Sequence, residues 1–76
     1  MTMARIEQLT ERKPARVSVQ NTVEAGYTLF SDAGNSYLQI VTYGSQTREM
    51  KGVVSQTIQF GPEGITALRE ILAQLP

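Results

Sequence analysis

The stretch GVVSQTIQFGPEGITALREILAQLP, Gly52 to Pro76, decides the fold. In its first part Val54, Ile58 and Phe60 alternate with Ser55, Thr57 and Gln59, the period of a half-buried strand. GPEG then turns the chain: Gly61 suits a cap, Pro62 the first helical position, and Glu63 complements the helix dipole. Beyond it Ile65, Leu68, Ile71, Leu72 and Leu75 recur at helical spacing and form one apolar face, with Arg69 and Gln74 off it. Gly64 lowers the helix propensity of the first turn. A strand running into a short amphipathic helix therefore closes the chain.

Upstream the pattern is strand. Tyr27 to Ser31 and Tyr37 to Tyr43 are rich in aromatic and β-branched residues, and DAGN (Asp32 to Asn35) between them has turn chemistry. ARVSVQNT (Ala15 to Thr22) alternates Val17 and Val19 against Arg16, Ser18 and Gln20, which reads as a first strand. GSQTREMKG (Gly44 to Gly52) is a polar, charged loop. Pro14 biases Lys13 towards an extended conformation and marks a boundary. Residues 1–13 are accordingly expected to be a flexible N-terminal tail and residues 14–76 a single domain. The expected fold is α+β: a four-stranded antiparallel meander followed by one C-terminal amphipathic helix, ββββα.

Composition narrows the function. A 76-residue chain buries only about 60% of its unfolded surface, so its core is marginal. Small folds usually add disulfides, a metal or a partner chain. The chain has no Cys and no His, which removes disulfides, thiolate metal sites and the commonest metal ligand and general base. Self-association is left, and a homodimer is expected. No metal or other cofactor is expected. Nor is catalysis: FGPEG lacks the glycine pattern and lysine of a phosphate-cradling loop, and Glu63 and Glu70 have a spacing routine on a solvated helix. The opening residues hold no apolar signal region and no run approaches transmembrane length, so a cytoplasmic protein without membrane contact is expected.

Seven basic and seven acidic residues cancel, but Arg12, Lys13, Arg16, Arg48 and Lys51 outnumber Glu24, Asp32 and Glu49 in the middle of the chain. A helix on one face of an antiparallel sheet leaves the other open. With Val17, Val19, Leu38, Ile40, Val54, Ile58 and Phe60 inward, the outward set is Arg16, Ser18 and Gln20, then Tyr37, Gln39, Val41 and Tyr43, then Val53, Ser55, Thr57 and Gln59. Bases stack on aromatic rings, amides and hydroxyls bond base edges, and cations meet phosphates. Such a face suits single-stranded nucleic acid. It equally suits a protein seam, because tyrosine and threonine favour strands in any case and tyrosine anchors interfaces.

Two segments carry a family resemblance: YTLFSDAGNSYLQIVTYGS, an aromatic hairpin, and SQTIQFGPEGITALREILAQL, a strand, a proline-containing turn and the closing helix. Together they resemble the repeat unit of the purine-rich-element-binding (PUR) family and, more loosely, are similar to the positive-cofactor-four coactivators and the Whirly proteins. The resemblance implies a ββββα unit that pairs into a dimer. It also implies binding of single-stranded DNA or RNA across exposed sheet surfaces, in transcription, replication or RNA handling. On that reading Arg16, Arg48 and Lys51 would meet phosphates, bases would stack on Tyr37, Tyr43 and Tyr27, and Gln39 would lie among them. The alternative is a structural or protein-interaction module that uses the same sheet for itself or a partner.

Overall fold

The computed structural model describes residues 2–43 and 54–76. Four strands and one helix follow in order: β1 (Thr2–Ile6), β2 (Ala25–Asp32), β3 (Asn35–Tyr43), β4 (Val54–Phe60) and α1 (Pro62–Leu72). The class is α+β, with one four-stranded sheet and a C-terminal helix.

The central hairpin forms where the aromatic strands and the DAGN turn place it. Ala33 and Gly34 both have positive φ, 51° and 82°. This is the geometry of a two-residue primed turn, whose twist matches that of the flanking strands. Its register runs Asp32↔Asn35, Phe30↔Tyr37, Leu29↔Leu38 and Tyr27↔Ile40. β3 continues antiparallel to β4, with Leu38↔Phe60, Gln39↔Gln59 and Ile40↔Ile58. An irregularity between Thr42 and Tyr43 brings Tyr43 opposite Val54 and leaves Ser55 as the extra residue of a bulge.

The sheet is not the expected meander. Its order is β1-β4-β3-β2, and β1 joins β4 parallel, Thr2↔Gln56 to Ile6↔Phe60. The strand expected at Ala15 to Thr22 is absent: residues 16–24 are irregular, and Val17 and Val19 are exposed. The edge of β4 is filled by Thr2–Ile6, within the segment expected to be a tail. Alternation over Val17 and Val19 supplies a strand-like pattern, but a strand needs a partner's backbone groups, and that edge is taken.

Glycine makes the β4–α1 corner possible. Ile6 O accepts a hydrogen bond from Gly61 N–H at 3.3 Å. Glu7 Oε1 accepts one from Gly64 N–H at 3.4 Å, supplying the side-chain cap that Gly61, at the N-cap position, cannot. A Cβ on Gly64 would overlap the Ile6 carbonyl oxygen, and one on Gly61 would overlap the Glu7 carboxylate. Pro62 at the first position and Glu63 in the first turn complete the helix start as expected.

α1 packs on β3 and β4. Gly64 lies over Phe60, and Ile65, Leu68 and Leu72 face Leu29 and Leu38 across an open groove of about 510 Å³. Directly paired residues share a face, so the helix-bearing face carries Leu38, Ile40, Ile58 and Phe60, as expected, together with Ile6, Ala4, Leu29 and Tyr27. Phe60, at 8% exposure, is the one buried large hydrophobic residue among those described. Ile65 and Leu68 are half-buried, whereas Ile71, Leu72 and Leu75 are exposed, and Leu75 lies beyond the helix end. The apolar stripe of α1 is longer than the surface it covers. Among the described residues no helix is long and apolar enough to cross a membrane.

Candidate nucleic-acid interface

The face opposite the helix is built by the odd positions of β3 and their partners. Tyr37, Gln39, Val41 and Tyr43 come from β3, Gln59 and Thr57 oppose Gln39 and Val41 from β4, and Phe30, Thr28 and Gly26 oppose Tyr37, Gln39 and Val41 from β2. β1 adds Arg5 beside Gln59 and Met3 beside Thr57.

Three features of this face bear on recognition. Phe30 and Tyr37 stack with ring centroids 5.2 Å apart and planes 13° off parallel, an aromatic platform at one end. Gln59 Nε2 donates to Gln39 Oε1 at 2.7 Å in the middle. That bond fixes both amides and leaves the Gln39 amide hydrogens and the Gln59 carbonyl oxygen without a side-chain partner among the described residues. Tyr43 stands at the other end, six residues along β3 from Tyr37, a span of roughly 20 Å at strand rise. The Tyr43 hydroxyl reaches over Gly26 of β2, where a Cβ would stand 3.4 Å from it, in ordinary contact. The β3 side chains are half-buried and Thr57 is buried at 4% exposure.

The residues anticipated from the sequence divide into four groups. Tyr37, Gln39 and Tyr43 are brought together on this face. Tyr27 is not: its partner is Ile40, so it lies on the helix-bearing face, 73% exposed, with the sheet between it and the other tyrosines. Arg16 belongs to no strand and sits in the exposed segment between β1 and β2. Arg48 and Lys51 lie outside the described residues.

Two further residues belong to the face. Phe30 was legible, because a two-residue turn at Ala33–Gly34 makes it the partner of Tyr37 and by the same count makes Tyr27 the partner of Ile40. Arg5 had no local signal, since only the long-range pairing of β1 with β4 brings it beside Gln59. Its guanidinium pairs with Glu7 at 3.4 Å in an exposed position. No group of three or more metal-ligating side chains gathers among the described residues.

The chain matches no protein-family model, no curated protein and no solved structure.

Proposed function

We propose that this protein binds single-stranded nucleic acid on the tyrosine face and works as a homodimer joined through the helix-bearing face, as a PUR-like or coactivator-like small binding protein. The observation that carries the reading is the alignment on one sheet surface of a stacked Phe30–Tyr37 platform, a Gln39–Gln59 amide pair and Tyr43. Every base offers a π-face, so rings spaced along a strand suit an extended ligand with little dependence on its sequence. Arg5, on this face, would meet phosphates, and Arg16, Arg48 and Lys51 are the further cations proposed from the sequence. Few charges contribute, so affinity is modest.

The homodimer is supported by what the single chain leaves uncovered. Leu29 (69% exposed) and Leu72 (54%) line the groove between α1 and the β2–β3 hairpin, and Tyr27 (73%), Ile58 and Ile71 are also exposed. Standard interfaces bury about 800 Å² per partner around an apolar, aromatic-rich centre. A second copy placed there would supply the core that one chain lacks. The same exposed face favours the alternative, a module whose partner is another protein.

Fluorescence anisotropy with labelled purine-rich and pyrimidine-rich oligonucleotides, single-stranded and duplex, at low and near-physiological salt, tests the reading. Binding that prefers the single strand and survives the higher salt is expected. Tyr37→Ala with Tyr43→Ala should abolish it and leave the dimer intact by sedimentation, whereas Tyr27→Ala should weaken the dimer. Absence of binding by the unaltered protein at low salt would overturn the proposal and leave protein contacts as the function.

A further inference from the structure

Residues 7–24 form the longest irregular segment of the described chain. Apart from half-buried Glu7, every residue in it is exposed. Both of its ends are tied down. At the first, Ile6 O accepts from Gly61 N–H and the Glu7 carboxylate holds both Gly64 N–H and Arg5. At the second, Glu24 O accepts from Tyr43 N–H at 3.0 Å.

These ties occupy diagonal corners of the sheet. Ile6 is in β1 at the Phe60–Leu38 end, and Ala25 begins β2 at the Thr42 end. Three strand spacings across and four residues along give a diagonal of roughly 20 Å. Eighteen residues can reach about 60 Å. The segment is thus three times longer than the shortest path between its anchors, which is slack enough to arch over a bound strand. At the first anchor Glu7 pairs with Arg5, a residue of the tyrosine face, and at the second the backbone bond of Glu24 to Tyr43 holds the chain at the sheet edge beside that face, so the segment can cross it between them. Between the anchors lie Arg12, Lys13 and Arg16 against one carboxylate, Glu11, and none of the three cations is in an ion pair among the described residues.

We propose that residues 8–23, the stretch between these anchors with three cations against one carboxylate, are a strap pinned at diagonal corners of the sheet that closes over nucleic acid on the tyrosine face and grips its phosphates with Arg12, Lys13 and Arg16. This inference rests on the reading of that face given above. It divides the labour, the sheet stacking bases and the strap neutralising phosphates, and it accounts for binding by a chain of zero net charge. The anchors matter as much as the charges, because a strap held at both ends loses less freedom on closing than a loose tail.

Two measurements on the full chain test it, both using labelled single-stranded oligonucleotide. The first compares the salt dependence of binding of the unaltered protein with that of the triple variant Arg12→Gln, Lys13→Gln, Arg16→Gln, with circular dichroism confirming the fold. Each neutralised phosphate on a single strand adds about 0.7 to the slope of log K against log salt, so the variant should lose about 2 units. An unchanged slope overturns the strap while leaving sheet binding intact. The second follows tryptic cleavage after Arg12 and Arg16 by mass spectrometry. Saturating oligonucleotide should slow it at least tenfold, and cleavage at the free-protein rate overturns closure. Failure of the unaltered protein to bind at all would refute the nucleic-acid reading itself, and is recognised before either comparison is made.

Discussion

Gly64→Ala tests the corner on which the fold turns. In a helix, replacing glycine by alanine ordinarily stabilises by about 0.5–1 kcal/mol, because alanine loses less backbone entropy on folding. Here the opposite sign is expected. The new methyl would overlap the Ile6 carbonyl oxygen, stand 3.1 Å from the Ile6 carbonyl carbon and lie 3.4 Å from Phe60 Cδ2. The obstruction is backbone, which cannot rotate away as a flexible side chain would. Relief requires β1 to withdraw, losing the Gly61 N–H to Ile6 O bond and the Glu7 cap, each worth about 1 kcal/mol. Overpacking in general costs about 1–3 kcal/mol, and with the helix gain subtracted a net loss of about 1–2 kcal/mol is expected. Urea denaturation at one fixed protein concentration measures it, since self-association would otherwise shift the midpoint. The control is the same substitution in a chain lacking residues 2–7, where the obstruction is gone and the ordinary stabilisation should return. A stabilising Gly64→Ala in the full chain would refute the docking of β1 against the helix start.

Two other substitutions probe the fold independently. Ala33→Asn, at a non-glycine residue held at φ 51°, should stabilise by about 0.5–1 kcal/mol, because asparagine tolerates the left-handed region that primed turns require; a lower thermal midpoint would mean the hairpin does not close through this turn. Leu68→Ala should cost about 1–3 kcal/mol, below the 2–5 kcal/mol of a fully buried leucine because Leu68 is only half-buried beside the groove. A loss at the top of the buried range would show that a partner chain covers it.

The parts of the fold that the sequence states locally are the ones it states correctly. DAGN closes the hairpin because turn geometry is set by four residues. VSQTIQFGPEGITALREIL is strand, proline turn and helix because alternation, Pro62 and helical spacing all act over a few residues. The two faces of β3 follow from period two, so Tyr37, Gln39 and Tyr43 were found as a group. Tyr27 falls on the helix-bearing face because register counted from the turn pairs it with Ile40. ARVSVQNT alternates without forming a strand because alternation records an aptitude for pairing and not the presence of a partner.

Local pattern is thus enough for the hairpin, the strand–helix close, and a face on which tyrosines and glutamines alternate with the core. Long-range pairing sets which segment completes the sheet, and with it the meaning of Gly61 and Gly64, the position of Arg5, and the long tethered segment carrying Arg12, Lys13 and Arg16. The reason is physical: β1 meets β4 across more than fifty residues of chain, through backbone groups that every residue carries. A pairing of that kind leaves little trace in side-chain pattern. Its only mark on the sequence is the missing Cβ at two glycines, whose purpose appears once Ile6 and Glu7 are seen against them.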